Sequence, residues 1–368
     1  MDNKKIRAIG ALLLVIVWAL LTAFSWFGPV KEFSVSERRE LSKMPEISIK
    51  NILDGKFMPA FEDFTLDQFP LRDTFRTVKS LFHLYVMNQG DNNDIYIANG
   101  YAAKQEYPYN ASSVEYAMGR FGVFYEKFLK DAGSRVFVTV VPDKGYYLAE
   151  ESGHLAMDYE ALFADVQAGM PYASYIDLTD TLEIGDYYRT DTHWRQEKLL
   201  ETAARICAVM GITAPKAEDF VTQTVEKPFY GVYYGQAALP MDPETIYYLQ
   251  SDLLKDCKVY NFETNGYGDV YDMTKLNSRD LYDVFLSGAR SLLTIENPNA
   301  ATDKELIVVR DSFGSSIVPL LVQDYAKVTL VDIRYIRLDT LDKFLTFEGQ
   351  DVLFLYSTLV LNNSSTIK

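Results

Sequence analysis

Apolar and polar positions alternate along this chain in three distinct ways. Residues 8–27 form a run without charge, about the 20 residues needed to cross a bilayer core. Between 51 and 82 the apolar residues take helical spacing, first Phe57, Phe61 and Phe64, then Leu71, Phe75, Val78 and Phe82. Pro70 separates the two groups and predicts two amphipathic helices with a bend. Residues 95–103 read as a hairpin turning at Asn99-Gly100, because that pair tolerates positive φ. From there the pattern becomes short apolar strands separated by helices. Strands are expected at 136–141, 175–178, 307–309, 328–331 and 352–355. Helices are expected at 112–130 (capped by Ser112 or Ser113), 159–168, 194–210, 317–325 and 338–347, with 142–147 a loop. Such alternation implies a parallel sheet covered on both faces. Residues 211–300 are less regular.

The expected organisation is a cytoplasmic tip and membrane anchor at 1–30, a juxtamembrane linker with amphipathic helices at 31–94, and an α/β domain at 95–368. Lys4, Lys5 and Arg7 precede the apolar run, so the positive-inside bias keeps the N-terminus cytoplasmic. The run is long for a cleaved signal, and a retained anchor with the rest of the chain outside the cytoplasm is expected. The 368 residues carry a formal net charge of -15 with pI near 4.7, which argues against nucleic acid and against adhesion to anionic lipid. Cys207 and Cys257 fit no zinc or redox spacing, no carboxylate–histidine cluster has metal-ligand spacing, and no cofactor is implied.

Candidate chemistry sits in two turns. Ile307-Val308-Val309 is a buried-strand run, followed by the turn residues Asp311 to Ser316 and then helical spacing at Ile317, Leu320 and Leu321. Strand, turn and helix place Ser312 at the carboxyl edge of a sheet, where α/β folds present nucleophiles. A serine needs a base, and the chain has three histidines. His83 lies in an apolar helix and His154 in a loop, whereas His193 lies in the turn Asp191-Thr192-His193-Trp194. An aspartate two residues away can fix one ring nitrogen so that the other faces the nucleophile. The alternative is that Asp191 or Thr192 simply caps the following helix.

The Asp-x-His-Trp turn, the Asp-Ser-Phe-Gly turn and the anchor together resemble the DHHW family and the alginate O-acetylation proteins, both similar to SGNH hydrolases. The likeness extends to Glu37-Arg38-Arg39-Glu40-Leu41, Asp54-Gly55-Lys56-Phe57, Asp67-Gln68-Phe69-Pro70-Leu71-Arg72-Asp73 and Val141-Pro142-Asp143-Lys144. It implies a flavodoxin-like three-layer domain acting outside the membrane on O-acetyl groups of an exported polysaccharide, with a multispanning membrane acyltransferase supplying the acetyl group. By that resemblance Ser312 is the nucleophile, His193 the base and Asp191 its orienting residue. Two positions depart from the pattern: Thr192 stands for the second histidine, and Arg310 for the glycine of a Gly-Asp-Ser turn.

The Ser312 backbone N–H is a candidate oxyanion donor, with Lys144, Tyr146, Tyr230 and Gly231 as candidate helpers. Trp194 is a candidate substrate contact. Arg334, just past a strand, either holds an acidic sugar or pairs with Asp332. The same serine, histidine and aspartate would serve an acetyltransferase or an acetylesterase, and a non-catalytic glycan-binding protein could keep the fold.

Overall fold

The structure, a computed structural model, describes residues 3–34 and 36–368. The first two residues of the expected cytoplasmic tip lie outside the described residues. The chain forms two compact units: residues up to Asn93 together with Tyr234–Met241, and Asp94–Tyr233 together with Asp242–Lys368.

In the first unit α1 (Asn3–Phe27) is a single helix, and its stretch Lys4–Phe27 is long and apolar enough to cross a membrane. The two helices predicted around Pro70 are α2 (Phe57–Asp67) and α3 (Arg72–Leu81), and the latter runs on through a π turn at Phe82–Val86. Leu71 takes φ 56° at the bend between them, directly after Pro70.

The second unit is built on an eight-stranded sheet. Its longer helices are α4 (Ala111–Phe124), α5 (Lys144–Ser152), α6 (Tyr159–Gly169) and α7 (Leu200–Met210). Its strands are β1 (Val136–Val141), β2 (Ser174–Ile176), β3 (Lys258–Asn261), β4 (Gly266–Gly268), β5 (Leu292–Glu296), β6 (Lys304–Arg310), β7 (Tyr325–Val331) and β8 (Asp351–Ser357). They lie in the order β4-β3-β5-β7-β6-β8-β1-β2. The five strands from β7 to β2 are parallel, as expected for strands joined by helical crossovers. The irregular region adds β3, β4 and β5, which run antiparallel at one edge.

Alternate side chains of the central strands bury into opposite faces. Val136, Val138, Ile307, Val309, Val352 and Phe354 pack under α4 and α6. Phe137, Val141, Leu306, Val308, Leu353 and Leu355 pack on the other side with α7. Two cores on one sheet make a three-layer α/β fold, and they explain why these strands read as continuous apolar runs.

Several boundaries differ from the sequence reading for local reasons. Asn110, not Ser112 or Ser113, caps α4 by accepting from the Ser113 N–H. The expected loop at 142–147 is already α5 from Lys144, because the Asp143 carboxylate caps it at the Gly145 N–H, 2.7 Å away. The helix expected at 317–325 is only one α turn, Gly314–Ile317, and a 3₁₀ turn, Val318–Leu321. Pro319 has no N–H to continue the α ladder, and Tyr325 already opens β7. Of 338–347, only Leu338–Lys343 is helical, again as 3₁₀. The hairpin at Ile95–Ala98 and Tyr101–Lys104 turns at Asn99 and Gly100, with φ of 49° and 82°.

Candidate active site

Ser312 sits just past the carboxyl end of β6, in a turn that its neighbours hold from both sides. The Asp311 carboxylate accepts from the Phe313 N–H at 2.9 Å and from the Ser357 N–H and O–H, both at 2.7 Å. It therefore ties the turn to the end of β8. Arg310 is fully buried and takes up the space over Gly314, where an added Cβ would lie 2.9 Å from the Arg310 Cβ. Its Nη1 donates to the Asp311 carbonyl and to Ser315 Oγ, each at 3.1 Å. A glycine two residues after the serine thus makes room for an arginine two residues before it.

The second turn is more heavily braced. Asp191 is fully buried, and its Oδ1 accepts from the His193 backbone N–H at 3.1 Å and from Nδ1 of the same residue at 2.6 Å. Its Oδ2 accepts from the Val232 N–H at 2.7 Å. A carboxylate can only accept here, so Nδ1 carries the proton and Nε2 has a free lone pair. That nitrogen lies 2.8 Å from Ser312 Oγ, across 119 residues of sequence. The imidazole stacks on the Tyr282 ring at 3.9 Å and 8°.

Three further bonds join the two turns beneath this contact. Trp194 Nε1 donates to Ser316 Oγ at 2.8 Å and to the Phe313 carbonyl at 3.2 Å, and Gln196 Nε2 donates to the Ser316 carbonyl at 2.7 Å. The Tyr282 hydroxyl reaches Ser316 Oγ at 2.7 Å, so the ring under the histidine is itself fixed to the serine turn. Glu244 holds the approach to Asp191 by accepting from the Arg189 N–H at 2.8 Å and from the Thr190 N–H and hydroxyl, both at 2.7 Å.

The other residues singled out from sequence occupy varied places. Lys144 is fully buried and donates to the Tyr188 and Arg189 carbonyls at 2.9 and 3.2 Å, below the same turn. Burial lowers its ammonium to about 7 against the raising pull of Asp191, Glu244 and Asp143. Tyr146 packs edge-on against Tyr147, Tyr159 and Phe163. Tyr230 is exposed. Trp194 is fully buried, where it bridges the two turns. The Arg334 guanidinium is held by Asp332 at 2.9 and 2.6 Å, an ion pair that keeps it charged despite burial. Cys207 and Cys257 are both buried free thiols, pushed up to about 12 by burial.

Sequence reasoning missed Glu244, Gln196 and Tyr282. They lie in the irregular region or just past the turn, and their polar atoms act on partners far away in sequence, which no local pattern marks.

Gly231 is where the 229–233 segment crosses the Asp191 turn. Its N–H donates to Thr190 Oγ1 at 3.0 Å, and an added Cβ would lie 2.2 Å from the Thr190 carbonyl carbon and oxygen. Both neighbours are backbone, so Gly231→Ala must displace the turn carrying Asp191 and His193. We expect the rate of Ser312 modification by a serine-directed probe to fall about 100-fold, the scale of a 1 Å misplacement. An unchanged labelling rate in the folded variant would show that the turn tolerates the shift.

Among known proteins, residues 175–331 match the family model described as DHHW protein. In fold the chain is similar to a DHHW family protein from Eubacterium siraeum DSM 15702, at 21% identity and TM-score 0.60, covering 75% of this chain and 95% of that one. It is also similar to Bacillus cereus PatB1 with a sulfonyl adduct, at 16% identity and TM-score 0.58, covering 73% of this chain and 94% of that one. The O-acetyltransferase domain of Pseudomonas putida AlgJ aligns at 13% identity and TM-score 0.44, over 73% of this chain and 92% of that one. No curated protein matches. The chain is therefore similar to DHHW proteins, in sequence over residues 175–331 and in fold over 75% of its length.

Proposed function

We propose that this chain is an extracytoplasmic, membrane-anchored O-acyltransferase that places acetyl groups on an exported or cell-surface polysaccharide through Ser312, His193 and Asp191. The observation that carries the reading is the continuous line from the Asp191 carboxylate through both nitrogens of His193 to the Ser312 hydroxyl. The apolar helix supports the anchor. The DHHW match supports the family resemblance from which the enzyme class is drawn, and the fold shared with DHHW and PatB1 structures is compatible with it.

In the first half-reaction His193 Nε2 takes the Ser312 proton as Oγ attacks the acetyl carbonyl carbon. Charge builds on the carbonyl oxygen, for which the Ser312 backbone N–H is the nearest candidate donor by sequence. The intermediate collapses, the C–O bond to the donor breaks, and the proton on Nε2 leaves with the departing oxygen. An acetyl-Ser312 ester remains. In the second half a sugar hydroxyl gives its proton to Nε2 and attacks the acetyl carbonyl carbon, the bond to Ser312 Oγ breaks, and Nε2 returns the proton to Oγ. Asp191 stays ionised throughout and stabilises the imidazolium. A multispanning membrane acyltransferase is the proposed source of the acetyl group.

The test uses a fluorophosphonate or sulfonyl fluoride probe, a choice suggested by the sulfonyl adduct in PatB1. Ser312 should be labelled, and only when His193 is intact. Acetyl release from an activated ester should then be measured with and without an oligosaccharide acceptor. Acetyl appearing on the acceptor supports transfer, and acetate formed at the same rate in both samples assigns an esterase instead. A Ser312 that never labels would leave a glycan-binding or assembly protein.

A further inference from the structure

We propose that the outer face of the helix formed by α3 and its π turn lies in the head-group and acyl boundary of the bilayer, beside the end of α1. The inference rests on the reading of α1 as a membrane anchor.

The sequence marks Leu71, Phe75, Val78 and Phe82 as one apolar stripe, the side that a water-soluble domain would bury. In the structure this stripe faces outward. Leu71 is 68% exposed, Phe75 49%, Val78 56%, Phe82 48% and Val86 66%. The polar side is turned inward. Arg72 pairs with Glu37 and lies 3.5 Å from Asp67, and Arg76 lies 3.3 Å from Glu37 and donates to the Gly235 carbonyl at 2.7 Å. Ser80, 1% exposed, donates to the Ala237 carbonyl at 2.8 Å. A helix with ion pairs inside and a continuous apolar stripe outside is arranged for an apolar exterior.

Contacts within the same unit say what that exterior is. Ser25 Oγ donates to the Thr65 carbonyl at 3.3 Å, and the Trp26 ring meets Phe61 edge-on at 5.7 Å. The last turn of α1 therefore packs on α2. A 24-residue helix is about 36 Å long, against a hydrocarbon core of about 30 Å, so that last turn stands at the membrane surface. The helix that follows α2 after a four-residue bend is held near the same level. Met58 and Leu66 on α2 are 65% and 61% exposed and add to the apolar surface there.

Of the three basic residues of α3, Lys79 alone stays exposed to lipid head groups. Arg72 and Arg76 are taken up by Glu37, Asp67 and Asp73, and the chain as a whole is acidic. Binding is then driven mainly by apolar area.

The full chain, reconstituted in phosphatidylcholine vesicles, tests this with an environment-sensitive fluorophore attached at Val78→Cys or at Asp73→Cys. Asp73 is 63% exposed in its side chain and follows Leu71 on the charged side of the helix. Cys207 and Cys257 are buried and stay unlabelled. The expected result is a blue-shifted emission at 78, quenched several-fold more strongly by nitroxide-bearing lipid than at 73 and unchanged in high salt. If alkaline carbonate strips the chain from the vesicles, the anchor reading fails and this inference with it. If the chain stays and position 78 remains in water, this inference alone fails. A dry label at 78 that lipid nitroxide does not quench would assign the face to a second copy of the chain and overturn the proposal. Ser312 labelling in the same vesicles reports separately on the proposed chemistry.

Discussion

Replacing Ser312 by alanine is expected to lower acetyl transfer by roughly 10⁶-fold, and His193→Ala by a similar factor, the scale seen when a serine nucleophile or its base is removed. The double variant should be little worse than either. With Oγ gone, Nε2 has no proton to take. With the imidazole gone, Oγ keeps its proton and its weak nucleophilicity. The two groups share one 2.8 Å hydrogen bond and perform one step. Initial rates of the three variants on an activated acetyl ester, with and without acceptor, give the measurement. Losses that multiply would mean that the residues act in separate steps. Transfer that survives Ser312→Ala would remove the serine from the mechanism and favour an assembly role.

Asp191→Asn is expected to cost about 10⁴-fold in kcat/KM, the loss found when an amide traps the wrong imidazole tautomer. Asp191 accepts on both oxygens, from His193 on one side and Val232 on the other. An amide has one oxygen and one NH₂. With its oxygen toward the Val232 N–H, the NH₂ opposes the His193 backbone N–H and donates to Nδ1, which forces the ring proton onto Nε2, so that Nε2 cannot accept from Ser312. With its oxygen toward His193, the NH₂ opposes the Val232 N–H in a buried site, which costs about 1–3 kcal/mol of stability. Either orientation opposes one buried N–H, so urea denaturation should show the loss of stability in both cases, and activity measured on the same variant separates them. Activity within tenfold of the parent would reduce Asp191 to a cap of its own turn.

Both experiments probe a contact that is half local. The Asp191–His193 pair spans two residues, so a turn with an acceptor and an imidazole was legible before any fold was known. The pairing of that turn with Ser312 rested on the choice among three histidines and on the family resemblance, not on a local pattern, although each turn could be placed at an element's edge from its own residues. Arg310 shows the converse. In the sequence it is only a departure from the glycine of a Gly-Asp-Ser turn, and Gly314 opens the space that its side chain fills. The antiparallel edge was not read from the sequence, because Leu292-Leu293-Thr294-Ile295 lies within the stretch that reads as irregular. Its long irregular surroundings concealed it.

The alternation of parallel strands and helical crossovers in the α/β unit followed from the sequence, whereas its antiparallel edge and the start of α5 did not. β-branched apolar runs stay extended because both faces of the sheet are covered, and a charge-free run of bilayer length needs no partner to become a helix. Tertiary structure alone decided which side of α3 faces outward, because an amphipathic period fixes two faces without saying which medium each will meet. It alone also decided that Glu244, Gln196 and Tyr282 brace the site. Their hydrogen bonds and ring contact reach across 34 to 120 residues, and such distances close only when the chain has packed.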